Sequence, residues 1–176
     1  MNAATASRLP AAVPVARLFL ALWPGPVALR VLAAWQARWA WPGGAAIVPA
    51  ERLHMTLHFI GPVPVARLPE VKAGLAVPLR RFDIGFGRAE LWPRGLAVLC
   101  PDALPEGLAA LHAELQAALQ RLALPVPARA LRPHVTLARK ATGAEPPTEP
   151  LRLTWRATGY ALVQSHGGYR SLQRYD

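Results

Sequence analysis

The feature that most restricts what this chain can fold into is a duplication. The tetrapeptide His-x-Thr-Leu occurs at His54–Leu57 and again at His134–Leu137, each time at the end of a similar apolar–helical–apolar succession. In the first copy, Arg17-Leu18-Phe19-Leu20-Ala21-Leu22 reads as a buried strand and Val27 to Trp39 has apolar residues near helical spacing. Pro42-Gly43-Gly44 breaks that helix, and Leu53 to Ile60 reads as a strand closed by Gly61-Pro62. In the second copy, Leu96 to Cys100 is the first strand. Leu104 to Leu122 is a helix with a leucine stripe through Leu108, Leu111, Leu115 and Leu119, and Pro133 to Arg139 is the second strand. Leu20 and His54 are 34 residues apart, Val98 and His134 are 36. The expected class is α+β: two pseudo-symmetric lobes of mostly antiparallel sheet with outer helices, and a cleft between them. The chain is expected to be one bilobal domain over 1–176, with repeat units at about 17–61 and 96–139 and residues 1–16 as a flexible lead-in. Val65 to Leu79 is expected as a helix, Phe82 to Leu91 as a strand, 141–150 as a proline-rich loop, and Thr158 to Gln164 with Tyr169 to Tyr175 as a closing hairpin.

Size and composition narrow the class further. With 176 residues, 53% of them hydrophobic and 17% charged, the chain has apolar surface enough for a core and is not globally disordered. Its longest runs free of Asp, Glu, Lys, Arg and His, Leu18 to Leu29 and Trp39 to Ala50, hold 12 residues each. A spanning helix needs roughly 20, so no membrane partner is expected and the cytoplasm is the expected compartment. The single cysteine, Cys100, allows neither an internal disulfide nor a cysteine-based zinc site and reads as a buried small hydrophobe. Twenty basic residues, eighteen of them Arg, against ten acidic ones give a charge of +10. That surplus favours polyanions, nucleic acid or a phosphorylated ligand, as partners.

On a strand, residues i and i+2 share a face. Strict alternation therefore puts His54 with Thr56, and His134 with Thr136, on one face, while Met55, Leu57 and Phe59, or Val135 and Leu137, turn to the core. Two imidazoles suit in-line phosphoryl transfer, which needs a base on the attacking oxygen and an acid on the leaving one. A hydroxyl two residues on is placed to donate to a non-bridging oxygen as charge builds there. Such a set asks for no metal and no cofactor.

These residues carry a resemblance. The paired His-x-Thr motifs, the opening Arg17 to Leu22, the segments Leu53 to Gly61 and Pro133 to Arg139, and the closing Ser165 with Gly168-Tyr169 resemble the 2H phosphoesterase superfamily. The likeness is closest to the bacterial and archaeal RNA 2′,3′-cyclic phosphodiesterases, formerly called 2′-5′ RNA ligases. The resemblance implies hydrolysis of RNA 2′,3′-cyclic phosphate ends to 2′-phosphates. It implies His54 as the general acid, His134 as the general base, and Thr56, Thr136 and Arg139 as the phosphate-binding residues. Pseudo-symmetry leaves the acid and base assignments open on physical grounds alone. Alternation puts Arg139 on the face opposite His134 unless the strand bulges or ends near Ala138. The expected partner is RNA with a 2′,3′-cyclic phosphate end or a related nucleotide, bound by a monomer. Alternatives are 2′-5′ ligation by the reverse step, a nucleotide-level cyclic phosphodiesterase, and an RNA-binding module without catalysis.

Among other residues, His58 shares the His54 face under alternation and is expected to line the cleft or its rim. His112 is expected to be structural, His166 a solvated turn residue, and Trp35, Trp39 and Trp41 packing residues.

Overall fold

Alternating and continuous apolar runs give this chain more strand than helix, and nearly all of that strand joins one sheet. The computed structural model describes residues 13–126 and 130–176. The elements are β1 (Val15–Leu22), α1 (Pro26–Gln36), β2 (Ala46–Ile47), β3 (Met55–Pro64), α2 (Leu68–Gly74) and β4 (Phe82–Trp92). They continue with β5 (Leu96–Pro101), α3 (Glu106–Arg121), β6 (Val135–Arg139), β7 (Leu153–Ala157), β8 (Tyr160–Ser165) and β9 (Tyr169–Tyr175). The strands form a nine-stranded sheet in the order β7-β4-β5-β6-β3-β1-β8-β9, with β2 added to β6, and every pairing is antiparallel. Most of the expected lead-in, residues 1–12, lies outside the described residues; its last part, Val15 and Ala16, already belongs to β1.

One face of the sheet carries the main core. Leu18, Leu20 and Leu22 of β1 point there and meet Leu32 and Trp35 of α1 and Leu108, Leu111, Leu115 and Leu119 of α3, all buried. The other face is left open between the two halves. On it, Phe19, Ala21, Ala161 and Val163 make a small apolar floor bordered by Trp23. Trp35 and Trp39 are buried in the main core, and Trp41 stacks on Trp39 at 4.8 Å, the packing role expected for the three. Each unit's helix crosses to the opposite half: α1 contacts β7, and α3 contacts β3. The helix expected over Val65 to Leu79 is shorter. It follows a 3-10 turn at Val65–Arg67 and stops at Gly74, where a Cβ would sit 2.7 Å from a methyl of Leu122.

The two halves share a register as well as an order. In the first, Ala21 of β1 faces Thr56 and Leu20 faces His58, which leaves Leu57 unmatched. In the second, Val98 of β5 faces Thr136 and Ala97 faces Ala138, which leaves Leu137 unmatched. Each His-x-Thr strand thus carries a one-residue bulge at the leucine of the motif. A bulge inverts the in-and-out phase of all that follows it. Two expectations are overturned as a result. His58, expected on the cleft face, is buried at 3% exposure, and its Nε2–H donates to the carbonyl of His112 at 3.0 Å, with the two rings stacked at 4.0 Å. Phe59, expected in the core, is 47% exposed on the open face, under the Arg17 guanidinium.

The His58–His112 pair makes this core acid-sensitive. Burial is the main cause that holds both imidazoles below their ordinary value, and His112 is pushed down to about 4 by burial and the neighbouring His58. A depressed imidazole means that the unfolded chain binds more protons. Its contribution to stability is therefore complete above about pH 6.5 and is lost as the pH falls towards 4. His112→Leu removes that loss. In urea melts, the stability of wild type relative to this variant should fall between pH 7 and pH 4.5; a constant difference would contradict the assignment.

Candidate active site

β3 and β6 meet at the centre of the sheet through one pair, Met55 opposite Val135. In that antiparallel register His54 lies across from Thr136, and Thr56 across from His134. The two motifs thereby bring four polar side chains to one face at the junction of the halves. Met55 and Val135, pointing the other way, are fully buried. Both histidines stand just before their strands begin, in half-buried positions.

Each ring is fixed the same way. His54 Nδ1 lies 2.6 Å from the Arg52 carbonyl and His134 Nδ1 lies 2.7 Å from the Arg132 carbonyl. A carbonyl only accepts, so Nδ1 carries the proton in both rings and Nε2 is left for chemistry. The arginines at i−2 recur in a further contact. The Arg52 guanidinium lies over Tyr169 at 5.8 Å, and Tyr169 meets His54 edge to face at 5.2 Å. The Arg132 guanidinium lies over Trp92 at 4.1 Å, and Trp92 meets His134 at 4.5 Å. Two aromatic rings more, Trp23 stacked at 5.0 Å and Phe19 at 5.2 Å, enclose His54.

The phase change at Leu137 resolves the position of Arg139. Leu137 and Ala138 are both buried, and Arg139 emerges exposed on the face of His134 and Thr136. Its charge acts on both imidazoles: burial is the chief cause that lowers each of them, and the cation of Arg139 adds to it. His134 also feels Arg132, and His54 feels His134. The pseudo-symmetric partner of Arg139 is Phe59, five residues after its histidine as Arg139 is after His134.

Recesses open on both sides of this group. One of about 640 Å³ lies beyond His54 and is lined by Trp23, Tyr169, Ser171, Arg174 and Arg156. The other, of about 260 Å³, lies beyond His134 beside Trp92, Arg132, Arg88 and Cys100. The Cys100 thiol is buried and pushed up to about 11, chiefly by burial, so it stays neutral as a packing group. His166 is exposed in the β8–β9 turn, away from the quartet in sequence and in hydrogen bonding. Among the described residues, no three His, Cys, Asp or Glu side chains gather where one metal ion would bind.

Arg52, Arg132 and the aromatic rings around the histidines were assigned no role in the sequence expectation. One signal was available for the arginines: Arg52-Leu53-His54-Met55-Thr56 and Arg132-Pro133-His134-Val135-Thr136 repeat an arginine at the same offset. Trp23, Trp92 and Tyr169 come from other strands and strand ends, and only the topology brings them in.

Comparisons with known proteins identify the family and the fold. The profile of the 2′-5′ RNA ligase superfamily matches residues 24–168. The chain is 34% identical over 134 residues to an RNA 2′,3′-cyclic phosphodiesterase of Thermus thermophilus, a match spanning 67% of this chain and 66% of that relative, just under two thirds of its length. Its fold is that of E. coli LigT solved with 3′-AMP, at a TM-score of 0.80 and 23% identity, covering 92% of this chain and 98% of that one. A solved Thermus thermophilus structure superimposes at a TM-score of 0.70 with 30% identity, covering 90% of this chain and 96% of that one.

Proposed function

The chain belongs to the 2′-5′ RNA ligase superfamily, and on that premise we propose that it is a phosphodiesterase that opens 2′,3′-cyclic phosphates at RNA ends and leaves a 2′-phosphate. The observation that carries the reading is the quartet His54, Thr56, His134 and Thr136 on one sheet face, with both Nε2 atoms unencumbered. His134 Nε2 takes a proton from water as the water oxygen bonds to phosphorus. The bond from phosphorus to the ribose 3′ oxygen breaks, and His54 Nε2–H protonates that oxygen. Thr56, Thr136 and Arg139 donate to the non-bridging oxygens, where negative charge accumulates.

The surroundings support these assignments of acid and base. An imidazolium at His54 lies against the face of Trp23, where a cation is favoured. Trp92 beside His134 already carries the Arg132 cation, which opposes a second charge next to it. The neutral form is the better one for a base.

The charge of the site face supports an RNA end over a neutral substrate. Arg17, Arg52, Arg132, Arg139 and Arg174 form no ion pair among the described residues, whereas Arg38, Arg67, Arg88 and Arg156 do. The larger recess has a volume suited to a nucleoside. A monomer acting in the cytoplasm, where cellular RNA ends are met, is part of the same proposal. No helix among the described residues is long and apolar enough to cross a membrane.

The pH profile tests this reading. His134 must be neutral, so kcat/KM falls as the pH drops through its pKa. His54 must be charged, so kcat/KM also falls as the pH rises through its own. Both are held below 6.5 in the free enzyme. The profile should be a bell whose maximum lies on the acid side of 6.5. A profile flat between about pH 5 and 9, or a maximum well above neutrality, would show that the two histidines do not share the proton transfers.

A further inference from the structure

Among the described residues, the one buried side chain with a carboxamide is Gln36, at 5% exposure in the last turn of α1. It lies on the stripe that buries Ala28, Leu32 and Trp35, where an apolar residue would serve packing equally well. Its amide nitrogen bridges the strand that carries His134 and the residue that follows β2. Gln36 Nε2 donates to the Leu137 carbonyl at 2.8 Å and to the Val48 carbonyl at 2.9 Å. The Leu137 carbonyl also accepts from the Val48 N–H at 2.8 Å. Leu137 is the unmatched residue of the bulge, so its backbone is outside the regular ladder with β5. Just beyond it, β2 pairs with Ala138 and Arg139.

The bulge decides where Arg139 points. Without it, strict alternation carries Arg139 to the face opposite His134. The residue that ties the bulge carbonyl to the short β2 segment therefore governs the approach of the guanidinium to the reacting phosphate. We propose that Gln36 is the positioning residue for Arg139: its side-chain amide clamps the Leu137 bulge against β2 and so holds the arginine over the phosphate site. This rests on the phosphate-binding role proposed above for Arg139. The pseudo-symmetric bulge at Leu57 is tied to the helical layer by a different bond, from His58 to the His112 carbonyl, and turns out Phe59 instead of a cation.

A double-mutant cycle tests the proposal. Wild type, Gln36→Met, Arg139→Ala and the double variant are compared for kcat/KM on a cyclic mononucleotide and for Kd of adenosine 2′-monophosphate. Methionine fills the space and offers no donor, so Q36M should weaken both quantities about 10-fold, the loss expected of a buried hydrogen bond. With Arg139 already removed, the same change should cost less than about 2-fold. If Q36M does not fold, Gln36→Asn, polar but one methylene too short to span both carbonyls, takes its place with the same expectations. Because Kd needs no turnover, the cycle reads Gln36 even for a protein that binds the nucleotide without hydrolysing its cyclic form. Equal losses with and without Arg139, or a Gln36 variant that binds as wild type does, would overturn the proposal.

Discussion

His54→Ala and His134→Ala should each lower kcat/KM for a 2′,3′-cyclic phosphate by ~10²–10⁴-fold, the range for loss of a positioned general acid or base. Neither ring is part of the main core: both are half-buried at strand entrances, and each makes one hydrogen bond, to the carbonyl two residues before it. Melting temperature and circular dichroism should therefore stay close to wild type. The two variants should differ in the limb of the pH profile that they erase. His134→Ala removes the fall at low pH, and His54→Ala the fall at high pH. A substrate whose leaving group needs no proton should rescue His54→Ala and leave His134→Ala slow. Wild-type rates in either variant would refute two-histidine catalysis.

The next largest effect is expected at the donors. On the proposed mechanism, Thr56→Ala or Thr136→Ala each removes one hydroxyl that donates to the phosphoryl oxygens and should cost kcat up to ~10²-fold, the lower part of the range for a lost oxyanion donor. Arg139→Ala would remove a full charge from the same oxygens and should also weaken binding of the product 2′-phosphate, because in the proposed role the guanidinium contacts ground state and transition state alike. The threonine variants should show the loss mainly in kcat and the arginine variant in both terms. The measurement is steady-state kinetics on a cyclic mononucleotide with product inhibition. Unchanged kcat in both threonine variants would mean that the hydroxyls face the strands and not the substrate.

Much of this molecule was legible in its sequence because duplication compares the chain with itself. The order of strand, helix and strand, the two His-x-Thr sites and their sharing of one face all follow from periodicity and spacing. What periodicity did not contain is the pair of bulges at Leu57 and Leu137. Each bulge is one extra residue that remains apolar, so the run of letters looks like continuous core strand. Its effect is nevertheless to invert the phase. His58 moves to the helical layer, Phe59 to the open face, and Arg139 to the site. The strand β7 alternates plainly in its burial, with Leu153, Trp155 and Ala157 inward, and was hidden only by the proline-rich stretch before it. Trp23, Trp92 and Tyr169 were illegible for another reason: they meet the histidines through long-range pairing.

The central claim is that these side chains alone open a cyclic phosphate in a single direction. The most direct measurement is the product formed from an oligonucleotide ending in a 2′,3′-cyclic phosphate, incubated with excess EDTA and resolved into 2′- and 3′-phosphate ends. The account predicts the 2′-phosphate only, at a rate that the chelator does not change. A 3′-phosphate product, or activity lost in EDTA and restored by a divalent ion, would contradict it.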